Sequence, residues 1–263
     1  MKTLVSWDAL LAAPAACDHL VQLYTNDAAL ASTVARFIEH GLAAGEGVIG
    51  IMTDAHWTGI AERLTAGGVD VAAARTRRQL AVCDAPETLN RFMVGGMPDR
   101  MAMRSAILGV LDSVRDAGYT KVRAFGEMVD ILNRGGNLAA AIRLEDLWNE
   151  LLDEQRIALL CAYAVDALAR DSYKSTLSSI GHVHSHLMPV EDPDRLERAI
   201  DLAFIDVFGV HGDTRRLREL FVRQLPDTTA MPTAHGALLA LHGLDPRLAD
   251  AVLERAASHY RGV

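Results

Sequence analysis

The sequence predicts an α/β protein in which a mostly parallel sheet with helices on both faces is followed by a small all-α subdomain. In the first part of the chain, short apolar runs alternate with segments of helical period, as in β-α-β units. The apolar runs are continuous, which is typical of strands buried on both faces. After about Ala169 these runs stop and only helical periodicity continues.

The apolar runs indicate five strands, of which the last is the most apolar. They are Leu20–Tyr24, Gly47–Met52, Leu80–Cys83, Val122–Phe125 and Ile157–Tyr163. Segments with apolar residues at helical spacing separate them and indicate helices. These segments are Leu30–Leu42, Ala55–Leu64, Met101–Ala117 and Leu138–Leu152.

The C-terminal part is predicted to hold four short helices separated by glycine and proline. They are Arg195–Val207, Arg215–Leu225, Ala234–Leu241 and Pro246–Tyr260. The chain is therefore divided into an N-terminal extension, a main domain, a histidine-containing connector and a helical subdomain. The ranges are 1–16, 17–170, 171–194 and 195–263.

The composition of this chain disfavours nucleic acid and membrane as direct partners. Its 263 residues carry a net charge of −8, without the basic excess of most nucleic-acid binders or membrane-surface proteins. No apolar run approaches the roughly 20 residues that span a bilayer, and Trp7-Asp8 interrupts the one stretch that resembles a signal peptide. Three widely spaced cysteines indicate a reducing compartment, so we expect a cytoplasmic protein.

The turn after the first strand lacks the residues that bind a triphosphate. A phosphate loop places GxxxxGK[ST] at this point, so that backbone amides and a lysine hold the phosphates. Here the turn reads YTNDAALAST, with no glycine, no lysine and an added carboxylate at Asp27. The sequence therefore predicts no ATP hydrolysis. GxSxG, HExxH and CxxC motifs are also absent from the sequence, so no catalytic residue is predicted.

Several segments of the main domain resemble one family of sensory domains. The matching stretches are Asp18–Tyr24, Gly41–Ile51, Val122–Leu132, Gly136–Leu151 and Leu159–Tyr163. FGEM, LExLWNEL and LCAY occur in this order within about residues 17–168. The chain thus resembles the MEDS domain, the sensory domain named after methanogens, methylotrophs and the regulator DcmR.

This resemblance implies a RecA/KaiC-like fold without the phosphate loop, and a sensory role. Members of the family are thought to bind small, often hydrocarbon-like compounds and to signal to a kinase or a transcriptional output. Only some 16 residues precede the matching part, too few for a helix-turn-helix. We therefore expect the output to come from the C-terminal helices or from a signalling partner protein.

Candidate ligand-binding residues follow the predicted strands, because ligands of open parallel sheets bind at the carboxyl ends of the strands. The candidates at this edge are Tyr24, Asn26, Asp54, Asp84, Glu127 and Tyr163. Glu127 is the first choice, since a carboxylate directly after a buried strand could accept a hydrogen bond from a ligand or bind a metal. The alternative is an acidic residue favoured by the N-terminus of a helix.

Three further residues are candidates because of their spacing or their place in the resemblance. Glu145 and Trp148 lie three residues apart on one helical face and look like recognition residues of the family, although a tryptophan at this spacing also suits a core. His19 precedes the first strand and is a candidate hydrogen-bond partner of Glu145 or Glu127. Cys161 lies within an apolar strand and is expected to be an inert buried thiol.

The connector contains three histidines at alternate positions, His182, His184 and His186. In an extended strand they would share one side, an arrangement that suits Zn²⁺, another transition metal or haem. In a helix only His182 and His186 would share a face. Histidines without a metal role in a polar connector are the alternative.

Three functional hypotheses remain open at this point. The first is a non-hydrolytic sensory protein that binds a small apolar or amphiphilic ligand and signals to a transcriptional or kinase partner. The second is a metal- or haem-dependent sensor or enzyme that uses the connector histidines. The third is a ligand-free regulator that acts by protein interaction. A homodimer is the default state of soluble regulators, but no dimer surface is recognisable in the sequence.

Overall fold

The computed structural model describes residues 6–174, 176–181, 183–188, 192–209, 214–225 and 231–262. The strands in these residues are β1 (His19–Tyr24), β2 (Gly47–Met52), β3 (Leu80–Asp84), β4 (Met93–Val94), β5 (Met97–Pro98), β6 (Val122–Gly126), β7 (Ala158–Ala164) and β8 (His186–Met188). The helices are α1 (Trp7–Ala12), α2 (Asp27–Ala43), α3 (Asp54–Ala66), α4 (Val71–Thr76), α5 (Ala85–Asn90), α6 (Arg100–Asp116), α7 (Met128–Arg134), α8 (Leu138–Gln155), α9 (Arg170–Lys174), α10 (Thr176–Ile180), α11 (Pro193–Phe208), α12 (Thr214–Val222), α13 (Thr233–Leu244) and α14 (Pro246–Arg261).

The chain forms two compact units. The first runs to Ala164 except for Gln22–Thr25, which belong to the second unit together with Val165 onward. The six-stranded sheet has the order β3-β2-β6-β7-β1-β8. Strand β2 pairs in parallel with β3 and with β6, and β6 pairs in parallel with β7. The predicted α/β class with a parallel sheet is confirmed.

Helices cover both faces of strand β2. Gly47 lies so close to Val114 of α6 that a Cβ atom would stand 2.3 Å from its Cγ1. The next residue, Val48, packs against Gly41 of α2, where an added Cβ would lie 2.9 Å from the Val48 Cγ2. Successive strand residues point to opposite faces, so α6 and α2 lie on opposite sides of the sheet.

Burial along the strands agrees with this layered arrangement. All residues of β1, β2 and β6 are buried, whereas the edge strand β3 is mostly half-buried. The continuous apolar runs of the sequence therefore correspond to strands covered on both faces.

The structure also contains elements that the sequence pattern did not predict. They are the short helices α1, α4, α5, α7, α9 and α10, the β4-β5 hairpin, and strand β8. Strand β8 has only three residues and lies in the segment predicted to be a connector without strands. Segments this short do not complete enough periods to be distinguished from a loop.

A buried ion pair lies where strands β2 and β6 begin. Arg123 Nε donates to Glu46 Oε2 at 2.5 Å, and Lys121 Nζ lies 2.5 Å from Glu46 Oε1. The remaining guanidinium nitrogens of Arg123 donate to the carbonyl oxygens of Leu11, Ala12 and Phe37. Burial raises the pKa of Glu46, but the hydrogen bonds and charges of Arg123 and Lys121 outweigh it, so the pKa lies below 4.5.

The second unit contains the predicted all-α part. Helix α11 packs on α14, and α13 contacts both α12 and α14. Phe204 stacks on Phe208 at 5.3 Å between ring centroids and meets Phe221 edge-on at 6.1 Å. Arg218 pairs with Glu197 and Asp201. Within the described residues, no helix combines the length and the apolar character needed to cross a membrane.

Candidate functional site

Four residues meet at the carboxyl edge of the sheet, and we call them the edge group: Asp27, Thr53, His56 and Glu127. Glu127 follows β6 and is buried, and its Oε1 accepts a hydrogen bond from the Thr53 backbone N–H. Its Oε2 pairs with Nδ1 of His56, in the first turn of α3. On the other side of the ring, Asp27 Oδ1 lies 3.6 Å from Nε2. The imidazole therefore stands between two carboxylates.

This arrangement favours the protonated form of His56. The pKa of His56 is raised above 6.5, mainly because Nδ1 hydrogen-bonds to Glu127, and burial opposes the shift only in part. The negative charges of Glu127 and Asp27 raise the pKa further. A histidine of this kind can change its charge when a ligand or a pH change alters its surroundings.

Asn26 occupies the amides that a phosphate would use. Its Oδ1 accepts hydrogen bonds from the backbone N–H groups of Ala28 at 2.8 Å and Ala29 at 3.4 Å, and so caps helix α2. The first amides of a helix are its anion-binding groups. Here they are already satisfied by a side chain, and the carboxylate of Asp27 lies beside them.

The other residues predicted at this edge are not part of the edge group. Asp84 caps α5 by accepting from the Glu87 backbone N–H at 2.7 Å. Asp54 is exposed in the first turn of α3, and Tyr24 is buried at the end of β1. Their predicted role in ligand binding stays a prediction.

A second set of predicted residues meets in the interior, and we call it the buried cluster: His19, Glu145, Asn149, Cys161 and Tyr163. Nδ1 of His19 lies 2.8 Å from Asn149 Oδ1, while its Nε2 lies 3.2 Å from Glu145 Oε2 and 3.3 Å from Cys161 Sγ. The Tyr163 hydroxyl donates to Glu145 Oε1 at 2.7 Å. The hydrogen-bond partner predicted for His19 is thus Glu145 rather than Glu127.

The Cys161 thiol and the Tyr163 hydroxyl are held in their neutral form by their surroundings. Burial, reinforced by the Glu145 charge and hydrogen bond, raises the pKa of the Cys161 thiol well above 9.0 and that of Tyr163 well above 10.0. Trp148, predicted beside Glu145 on the same helical face, has only 1 % of its surface exposed and packs in the core.

A comparison with known families decides what kind of protein carries these two sites. The sequence profile of MEDS, described as the MEthanogen/methylotroph, DcmR Sensory domain, matches residues 18–184. The chain belongs to the MEDS family. This membership supports a sensory or regulatory role, and the MEDS match contains both the edge group and the buried cluster. A search of curated proteins found no match.

The connector histidines lie at the end of the MEDS match and after it. His182 is outside the described residues. His184 is buried with Nδ1 2.8 Å from the Ile180 carbonyl oxygen, and His186 Nδ1 lies 3.0 Å from Ser185 Oγ. Strand β8 begins only at His186, so the extended strand geometry assumed for the histidines does not include His184. Metal binding here stays a prediction.

Sequence reasoning missed His56 and Asn149 as members of the two MEDS sites. His56 stands two positions after Asp54, which was selected because it follows a strand. Asn149 stands four positions after Glu145, one helical turn along the same face. Both could have been found by considering, for each selected residue, the other polar residues within one turn of the same helix.

The His56–Glu127 pair is expected to make stability depend on pH near neutrality. Because the folded pKa of His56 lies above 6.5, the pair stabilises fully below that pH, and this stabilisation is lost as pH rises through the raised pKa. A hydrogen bond to a charged group contributes about 1.5–3 kcal/mol. We therefore expect the melting temperature to fall as pH rises above 6.5, and to fall less in His56→Gln. Parallel pH profiles for the two proteins would contradict this.

Proposed function

We propose that this chain is a non-hydrolytic sensory protein that binds a small amphiphilic ligand at the edge group and signals to a kinase or transcriptional partner. The observation that carries the proposal is the His56–Glu127 pair with Asp27 beside it, at the carboxyl edge of the sheet. Ligands of parallel sheets bind at this edge. Membership of a sensory family supports the same conclusion.

The charges of the edge group favour a particular ligand chemistry. Two carboxylates, of Asp27 and Glu127, face one imidazole, so the group does not become cationic when His56 is protonated. An anionic head group would be repelled by Asp27, whose side chain is 79 % exposed. A hydroxyl or an amine could instead donate to Asp27 and leave the buried pair intact. We therefore expect a neutral or cationic polar head on a small apolar body.

The same features argue against nucleotide turnover. The amides at the start of α2 are capped by Asn26, and the turn supplies no lysine for a phosphate. A triphosphate would have to displace the cap, which contributes about 1 kcal/mol, and would also meet the charge of Asp27. Binding without hydrolysis fits this chemistry better.

A thermal-shift screen of the full chain tests the proposal. The probes are matched sets of short-chain alcohols, amines and carboxylates, together with ATP and magnesium. We expect the alcohols or amines to raise the melting temperature and the carboxylates and ATP to leave it unchanged. In Asp27→Asn, about tenfold more amine or above should be needed for the same rise in melting temperature, because the exposed charge is removed.

Asp54→Asn is the matched control, because Asp54 is also an exposed carboxylate in the first turn of a helix and is not a member of the edge group. It should leave the ligand response unchanged. Equal loss in Asp27→Asn and Asp54→Asn would show that no specific edge site is involved. Stabilisation by ATP with release of inorganic phosphate would contradict the proposal directly.

A further inference from the structure

The buried cluster brings together three atoms that ligate metals: Nε2 of His19, Oε2 of Glu145 and Sγ of Cys161. The nitrogen lies 3.2 Å from the oxygen and 3.3 Å from the sulfur, and the oxygen and sulfur are 3.8 Å apart. All three side chains are at least 98 % buried. We propose that these three residues bind a divalent transition-metal ion, with Zn²⁺ as the best fit.

The spacing agrees with tetrahedral coordination. Zinc bonds of about 2.0 Å to nitrogen and oxygen and about 2.3 Å to sulfur place tetrahedral ligands about 3.3 Å (N to O) and about 3.5 Å (N to S and O to S) apart. The observed separations of 3.2, 3.3 and 3.8 Å differ from these values by about 0.3 Å or less. Only small side-chain rotations are needed to surround an ion.

Neighbouring side chains orient the ligands as metal sites require. Asn149 Oδ1 accepts from Nδ1 of His19 at 2.8 Å, so the proton sits on Nδ1 and the Nε2 lone pair points at Glu145 and Cys161. The Tyr163 hydroxyl holds Glu145 Oε1 at 2.7 Å and leaves Oε2 for the ion. Partners of this kind fix the tautomer and the carboxylate orientation at metal sites.

The charges at the site also balance. When the ion binds, the Cys161 thiol releases its proton to water and becomes a thiolate. One thiolate and one carboxylate then neutralise the two positive charges of the ion. A neutral assembly can be buried at much lower cost than an unpaired charge. A fourth ligand, from water or from another side chain, completes the coordination.

Metal binding at this place would join three elements of the first unit. His19 lies on β1, Glu145 on α8 and Cys161 on β7. An ion shared by these residues would hold α8 against the two strands.

Cobalt titration of tag-free, metal-stripped full chain tests the proposal. Thiolate ligation of Co²⁺ produces a sulfur-to-cobalt charge-transfer band in the near ultraviolet, so the readout identifies the ligand. We expect one Co²⁺ per chain with this band, displaced by Zn²⁺. Cys161→Ala should abolish the band, whereas Cys83→Ala, which removes a half-buried free thiol on β3, should retain it.

Asn149→Ala provides a second test that keeps all three ligands. It removes the partner of His19 Nδ1, and loss of such a partner weakens metal affinity about 10–100-fold. Circular dichroism confirms that each variant is folded. Absence of the band in folded wild-type protein, or its persistence in Cys161→Ala, would overturn the assignment, since the latter means that the ion is held elsewhere.

Discussion

Replacing Glu46 with glutamine is expected to lower the free energy of unfolding of the first unit by about 3–5 kcal/mol, because it breaks a buried ion pair. The side chain of Arg123 is only 1 % exposed, and glutamine supplies no negative charge to pair with its guanidinium. Its carbonyl partners Leu11, Ala12 and Phe37 would remain. They supply dipoles but no compensating charge.

Urea denaturation followed by tryptophan fluorescence measures this effect. The chain has three tryptophans, Trp7, Trp57 and Trp148, and all lie in the first unit. The control is Glu150→Gln, which removes an exposed pair with Arg100 and should change stability by less than about 1 kcal/mol. Equal urea midpoints for the two variants would contradict the expectation.

Acid pH should narrow the difference between wild type and Glu46→Gln. The folded pKa of Glu46 is below 4.5, so its stabilisation is complete above that pH and is lost as pH falls through the lowered value. The two proteins should therefore approach each other in stability at the acid end. A difference that does not narrow anywhere below pH 4.5 would show that the charge of Glu46 is not responsible.

Replacing Trp148 with alanine is expected to lower the free energy of unfolding by about 3–5 kcal/mol, the range for large aromatic residues in a core. Trp148 is among the largest fully buried side chains and lies on α8. The alternative from the sequence is a recognition residue, which would affect ligand binding more than folding. Urea denaturation followed by circular dichroism measures the cost directly.

Trp57→Ala makes the same change at a half-buried position, where Arg75 lies 6.0 Å from the ring centroid. It should lower the free energy of unfolding much less than Trp148→Ala does, because the Trp57 side chain buries less apolar surface. A ligand response lost in folded Trp148→Phe at unchanged stability would instead support recognition.

The central part of the fold could be predicted because its signals are local. The five predicted strands are short, mostly apolar runs, interrupted only by Gln22 and Arg123, and β2 begins and ends at the predicted residues Gly47 and Met52. The helices between them extend over enough turns for their periodicity to be recognised, as in α6 and α8. Short elements such as α1 and β8 lack that length.

The sites were predictable only in part, because their contacts join distant positions. His56 and Glu127 are 71 residues apart, and His19 and Cys161 are 142 apart. Strand ends identified Glu127, which belongs to the edge group, and Tyr163, which instead belongs to the buried cluster. Which side chains meet there depends on strand order, and apolar runs carry no information about that order. The burial of Cys161 could be predicted from its apolar strand, but its contacts with His19 and Glu145 could not.

The contacts of Arg123 have a consequence for any attempt to shorten the protein. The family match begins at residue 18, but α1 precedes it and supplies the carbonyls of Leu11 and Ala12 to the guanidinium. A fragment that begins at Asp18 would lack these two carbonyl groups, so water would reach the Arg123 guanidinium. A fragment that is meant to fold should therefore begin before Trp7, which lies eleven residues N-terminal to the start of the family match at residue 18.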